Sequence, residues 1–281
     1  QERYVLAIDP RHLSLFDRIS KRERCPYAVV GTIKEHGNLK LHDGHYDNYP
    51  INMPMDVLFG NPPKTKIDIN TSKVQIEKGD MDFISIEQAC EYILRFPTVA
   101  DKTFLIHIGD RTVGGLVSQD QFVGPWQVPV SDVGITIKDH SSLQGEAMAI
   151  GERTPVATLN PSASGRLAVG EAITNILSAS IENISDIKLS ANWMSSLETD
   201  AQKQALYETV KSVTLDICSK LGLVIPVGKD SLSMQTTWKE KGVSKTVVAP
   251  LSLVISAFAP VVDVRDTITP ELKKTIDYVL D

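Results

Sequence analysis

The chain has 281 residues, 42% hydrophobic and 23% charged, close to the globular average, which suits one large or two ordinary domains with a sizeable core. Lys and Arg total 29 against 35 Asp and Glu, a formal net charge of −6, so no overall positive field draws the chain to nucleic acid or an anionic membrane, and neither is expected as a partner. No apolar run approaches the roughly 18–20 residues of a membrane span, the start Gln1-Glu2-Arg3-Tyr4 is no signal peptide, and Cys25, Cys90 and Cys218 form no CxxC pair, which predicts a cytoplasmic setting with three buried thiols.

Residues 4–8 make a short apolar run, predicting a strand, and Leu13, Phe16 and Ile19 at three-residue spacing predict a helix over 11–23. Residues 26–34 and 38–42 read as strands about a turn at Glu35-His36-Gly37. Loop chemistry fills 43–80, and His42 and His45 lie at its start near Asp43 and Asp47, with a spacing that matches no zinc template and suits a surface loop. A boundary is expected near 75–100. Phe104, Leu105, Ile106 and Ile108 then predict a buried strand running into the glycine-bearing loop Gly109–Leu116, which is neither a Walker motif nor GxGxxG. An extended segment over 126–137 and a loop holding Gly145-Glu146 follow. Asn160-Pro161 sets the start of a helix over about 162–180. Thr199 with Gln202 opens a second helix through a capping box, with Leu206, Val210, Val213, Ile217 and Leu221 on one stripe and Gly222 as its stop. Strand 223–227, a strand-end polar cluster at Gly228-Lys229-Asp230-Ser231 that suits either a ligand or a salt-bridged turn, and the long apolar run 247–259 complete an alternating α and β pattern. The chain begins without Met and ends in Tyr278-Val279-Leu280-Asp281, so a piece of something longer is expected.

The helix over 162–180 offers the clearest chemistry. Glu171 and Asn175 are four apart and share a face, beside an apolar stripe of Val169, Ile173, Ile176 and Leu177. A carboxylate and an amide oxygen held there suit a hard cation such as Mg2+ bridging to phosphates, while the spacing alone favours a solvated helix face. Asp132, in a β-type segment, could add a third oxygen or cap a turn. No nucleophile elbow, Cys/His dyad or basic stripe is present, and no catalytic residue is assigned.

Seven segments occur in order: Gly109-Asp-Arg-Thr-Val-Gly-Gly-Leu116, Gly124-Pro-Trp-Gln-Val-Pro-Val-Ser-Asp132, Gly145-Glu-Ala-Met-Ala-Ile-Gly-Glu-Arg153, Ala168-Val-Gly-Glu-Ala-Ile-Thr-Asn175, Lys188-Leu-Ser-Ala-Asn-Trp-Met194, Gly228-Lys-Asp-Ser-Leu-Ser-Met234 and Pro250-Leu-Ser-Leu-Val-Ile-Ser-Ala-Phe258. Together they closely resemble the large, single-chain phosphoribosylformylglycinamidine synthases, over essentially the whole chain. The resemblance implies a glutamine-dependent ligase of purine biosynthesis that converts formylglycinamide ribonucleotide, ATP and glutamine to formylglycinamidine ribonucleotide, ADP, phosphate and glutamate, with a glutaminase domain in cis. It implies an α/β fold with mixed sheets, of the aminoimidazole-ribonucleotide-synthase type. Residues 1–98 would be the end of one copy's C-terminal half, 99–262 the N-terminal half of a second copy, and 263–281 the lead into a further half. It also implies an auxiliary Mg2+ and ATP/ADP site, with metal ligands at Asp132, Glu171 and Asn175, a lysine at Lys102 and an adenine-side contact at Ser131. Gln1, Glu2 and Arg3 match the tail of a substrate-proximal motif. The glutaminase residues and the catalytic residues of the first copy match nothing here, so the segment is expected to be inactive alone, and its nucleotide site to be a working part of the ligase or a structural scaffold.

Overall fold

A computed structural model describes residues 3–35, 37–64, 66–71, 83–108 and 115–272, and the side chains of these except 106–108. The chain divides into two compact units, Gln1–Ile67 and Asp68–Asp281.

In the first unit a single turn, Pro10–His12, is capped by the Asp9 carboxylate, which accepts the Arg11 N–H, and leads into helix α1, Leu13–Arg22. Phe16 of α1 meets Tyr27 edge to face at 5.0 Å, and the Tyr27 hydroxyl donates to Asp17. Strands β1 (Asn38–Asp43) and β2 (Asn48–Pro54) form an antiparallel hairpin with Leu39 opposite Met53 and Leu41 opposite Ile51, followed by the short helix α2, Met55–Phe59. His42 Nε2 lies 3.0 Å from Asp47 across the hairpin end, a local surface pair. The runs 4–8 and 26–34 are not strands, which corrects the expectation from their composition; Val5, Val30 and Ile33 are instead exposed. A β-prone run becomes a strand only against a ladder partner, and the strands described in this unit are the two of the hairpin.

The second unit carries, in chain order, α3 (Ile86–Arg95), α4 (Thr103–Ile108), β3 (Val117–Gln119), β4 (Val133–Ile137), β5 (Gly145–Glu152), α5 (Thr154–Ala157), α6 (Pro161–Ile176), β6 (Lys188–Met194), α7 (Asp200–Lys211), β7 (Val224–Ser231), β8 (Gln235–Glu240), β9 (Val243–Val248) and β10 (Ser252–Val261). Six strands make one mixed sheet in the order β3-β4-β5-β10-β6-β7, antiparallel except for the parallel pair β6 and β7. Strands β8 and β9 form a separate hairpin whose turn places Lys241 and Gly242 at positive φ, the turn geometry that matches strand twist. The fold is therefore α/β with a mixed sheet, as expected, though its strands are mostly antiparallel.

Helix α6 covers one face of the sheet. Ala168, Val169, Ala172 and Ile176 pack on Ala147 and Ala149 of β5 and on Ile255 and Ala257 of β10, all buried. The approach is close: a Cβ on Gly151 would stand 2.0 Å from the Ala168 carbonyl oxygen and 2.6 Å from the Ala172 nitrogen, so only glycine fits there. Gly145-Glu146 begins strand β5 and is not the expected loop. The strand's inward positions are Gly145, Ala147, Ala149 and Gly151, too small to show as a β-type apolar alternation, whereas the burial along the strand alternates strictly up to Gly151.

Asn160 caps α6 by accepting the Ala163 N–H at 2.9 Å with Pro161 in the first turn, and the capping box at Thr199 and Gln202 forms, both as predicted. Beyond α7 the ladder widens to a π turn over Ser212–Cys218, where the Ser212 and Thr214 hydroxyls bond the Thr209 and Val210 carbonyls, and the helix ends at Gly222 with φ +69°.

Three further expectations are corrected. Residues 103–108 are helical, since a short apolar run does not distinguish helix from strand, and the Asp101 carboxylate accepts the Thr103 N–H and hydroxyl at the helix start. Gly228–Ser231 is the end of the edge strand β7, not a turn, because β6 supplies a parallel ladder. Of the three thiols only Cys218 is buried, and burial pushes its pKa up; Cys25 and Cys90 are exposed because their surroundings supply no core. Among the described residues no helix is long and apolar enough to cross a membrane.

Candidate functional site

The loop before β4 delivers two of the predicted site residues. Its tip, Gly124–Gln127, turns with Gly124 and Gln127 at positive φ, and its stem is held by Val123 N–H to Pro129 O at 2.9 Å, Ser131 N–H to Gln121 O at 2.8 Å and the bridge between Phe122 and Val130. Ser131 and Asp132 thus enter β4 from a fixed stem. Asn175 comes from α6, where its Nδ2 donates to the Ile150 carbonyl of β5 at 3.1 Å, leaving Oδ1 as its remaining polar side-chain atom. Ser178, one turn further, donates its hydroxyl to Asn175 O.

The third wall is the segment that follows β10. Val262 N–H bonds Ser180 O at 3.0 Å and Ile268 N–H bonds Ser178 O at 2.8 Å, so the chain runs back past the end of α6. Between them the turn Val264–Asp266 is fastened by Asp263, whose carboxylate accepts the Arg265 N–H and pairs with its guanidinium at 2.6 Å. That guanidinium holds the Asp263 carboxyl at a pKa of about 2, below the ordinary 3.8.

These elements border an open pocket of about 250 Å3 lined by Val130, Ser131, Asp132, Thr174, Asn175, Ser178 and residues 268–270. It is smaller than the roughly 300–1,000 Å3 of sites that enclose a whole drug-sized ligand. Its polar lining is one carboxylate, one amide and several hydroxyls, with no cationic side chain among the lining residues.

Of the predicted residues, Ser131, Asp132 and Asn175 therefore share one pocket. Glu171 stands one helical turn before Asn175 but does not line it. Its Oε2 accepts the Glu152 N–H at 2.7 Å and its Oε1 lies 2.6 Å from Arg153 Nη1. Lys102 is half-buried at the start of α4, where its Nζ donates to Ala100 O, and is not among the lining residues. Arg3 is exposed in the first unit, while Gln1, Glu2 and the loop 109–114 lie outside the described residues.

Sequence reasoning did not assign Thr174, Ser178, Arg153 or residues 268–270. Ser178 follows Asn175 at the i, i+3 spacing of one helix face, a signal that was available. The 268–270 wall depends on the path taken after β10 and has no local signature.

Two carboxylates and an amide oxygen are hard donors suited to Mg2+. Among the described residues no three His, Cys, Asp or Glu side chains stand together as a metal group, and the donor set here has only two carboxylates, with Glu171 turned to Arg153. The chemistry of the set fits the cation, while Glu171 would have to change partner.

Residues 101–260 match the model of the FGAR-AT PurM_N-like domain. Among solved structures, PurLQS from Thermotoga maritima is similar with a TM-score of 0.59 at 14% identity, and T. maritima PurL complexed with ATP with a TM-score of 0.57 at 15% identity. Each match covers 93% of this chain and 38% of the other, so the chain spans well under half the length of these relatives. At such identity the likeness speaks to the fold. With the family model matching more than half of its length, the chain belongs to the FGAR-AT PurM_N-like domain family.

Proposed function

We propose that the chain is a segment of the glutamine-dependent ligase that converts formylglycinamide ribonucleotide to formylglycinamidine ribonucleotide, and that it holds an auxiliary Mg2+-nucleotide site. The observation that carries this reading is the convergence of Ser131 and Asp132 from one stretch and Asn175 from another, all within the matched family region, on one pocket. T. maritima PurL complexed with ATP, which shares the fold, supports a nucleotide as ligand.

In this reading Asp132 and Asn175 offer oxygens from the two sides of the pocket, Glu171 supplies the third from α6, Ser131 sits on the adenine side and Lys102 approaches the phosphates. Magnesium, when bound, would neutralise phosphate charge and orient the nucleotide. The chain's own work is to position: β4 and α6 are fixed to one sheet through β5, and Asn175 is locked by its bond to Ile150. The domain scheme 1–98, 99–262 and 263–281 and the substrate-proximal place of Gln1, Glu2 and Arg3 belong to the same proposal, as do the glutaminase in cis, glutamine as nitrogen donor and a cytoplasmic setting. No residue of this chain is assigned to bond making, so the site serves the ligase by holding its nucleotide.

The test is nucleotide release. Protein purified without added nucleotide is denatured and the supernatant chromatographed. Adenine nucleotide in near-stoichiometric amount, lost in Asp132→Asn and Asn175→Ala, is expected. The absence of both retained nucleotide and Mg2+-dependent rebinding of ADP would contradict the reading.

A further inference from the structure

Glu171 is the one predicted metal ligand that already has a cationic partner. Its Oε1 lies 2.6 Å from Arg153 Nη1, and the same nitrogen donates to Glu152 O at 2.8 Å, so the guanidinium is fastened to the end of β5 while it pairs with α6. Oε2 is engaged as well, by the Glu152 N–H at 2.7 Å. Asp132 and Asn175 line the pocket, whereas Glu171 is not among its lining residues. A divalent cation coordinates a carboxylate oxygen at about 2.0–2.1 Å and draws on the same negative charge as the guanidinium, so two positive groups on one carboxylate repel each other and each weakens the other's hold. The Arg153 and Glu171 side chains are 46% and 24% exposed, so the pair is only partly desolvated and is weak enough to be exchanged.

We propose that Arg153 is an internal competitor for the divalent cation: it holds Glu171 on the β5 side, and the cation enters the site by displacing it from Oε1, so that this exchange sets the affinity. The inference rests on the Mg2+-nucleotide reading above and deepens it by naming the residue that opposes the metal. Binding draws Glu171 toward Asn175 and frees the Arg153 guanidinium, which stays tethered through its backbone beside the site.

The experiment uses Mn2+ as the probe, titrated in the presence of ADP and followed by the electron paramagnetic resonance signal of the free ion. It compares the unaltered chain, Arg153→Gln, Glu171→Gln and the double variant. Removing the competitor is expected to tighten Mn2+ binding about two- to fivefold, the range of a partly exposed ion pair. In the Glu171→Gln background the same substitution is expected to change nothing, because the effect passes through that carboxylate. Unchanged or weaker binding in Arg153→Gln overturns the exchange. Equal tightening in both backgrounds also overturns it, since Arg153 would then act on the cation through space. If Arg153→Gln does not fold by circular dichroism, Arg153→Met carries the same expectation. Absence of any Mn2+ binding with ADP in the unaltered chain and in Arg153→Gln overturns the nucleotide site itself, whereas normal binding that ignores Arg153 overturns only the exchange.

Discussion

Asn175 does two jobs with one side chain. Its amide nitrogen satisfies the Ile150 carbonyl, and its oxygen is the donor offered to the pocket. Asn175→Ala strips a partner from that carbonyl, and a loss of about 1 kcal/mol in chemical denaturation is expected, together with loss of any Mg2+-ADP response. Asn175→Asp separates the two effects, since it keeps an oxygen donor while removing the amide N–H. Asp263 tests the far wall. Its carboxyl is depressed in the folded chain, so the contribution of its pairing with Arg265 is complete above the ordinary 3.8 and is lost as the pH falls toward about 2. Amide exchange at Arg265 is therefore expected to accelerate, beyond its intrinsic pH trend, between those two values, and Asp263→Asn to show the fast behaviour already at neutral pH.

At the scale of elements, the positions of α6 and β5 are set by size as much as by apolarity. Gly151→Ala places a methyl group 2.0 Å from the Ala168 carbonyl oxygen, backbone that cannot step aside, so the helix must lift from the sheet. A destabilisation of at least about 1–3 kcal/mol is expected, read as a lower denaturation midpoint, with the pocket widened because Asn175 moves with α6. The same feature explains what the sequence could convey. Caps are local chemistry, and Asn160-Pro161 and Thr199 with Gln202 were legible because each needs only neighbours within four residues. Strand β5 was hidden because its core-facing residues are small. The runs 4–8 and 26–34 misled because strand formation depends on a partner that a run's own composition does not reveal, and 103–108 because four apolar residues in six carry no clear period. In the site, the shared face of Glu171 and Asn175 followed from helical spacing, and Asp132 as a third donor was supported by the family resemblance. The ion pair between Arg153 and Glu171 joins residues 18 positions apart, one between β5 and α5 and the other on α6, and nothing local announces it.

At the scale of the whole molecule the two units differ in what holds them. The second encloses a continuous core on one face of its sheet, from Val133 and Ile135 through Ile255 and Ala257 to Val264. In the first, Ser20 is the only buried residue among those described, and Val5, Val30 and Ile33 lie in solvent. Stability is expected to follow that division, with amides of β1 and β2 exchanging far faster than those of β5, β6 and β10 in hydrogen-exchange mass spectrometry. Comparable protection across both would show that the first unit has a core of its own. The pocket lies wholly in the better-packed unit, so ligand binding is read most directly as a shift in that unit's melting.

The decisive measurement is a melting series of the chain and of Asp132→Asn with ADP, with and without Mg2+. A ligand bound only by the folded state stabilises it by about 2.7 kcal/mol at a hundredfold excess over its dissociation constant. The melting temperature of the unaltered chain is predicted to rise with Mg2+ and ADP together, to rise little with ADP alone, and to lose that rise in Asp132→Asn. An equal rise in both proteins, or a rise that ADP produces without Mg2+, would contradict a metal-nucleotide site built on Asp132, Glu171 and Asn175.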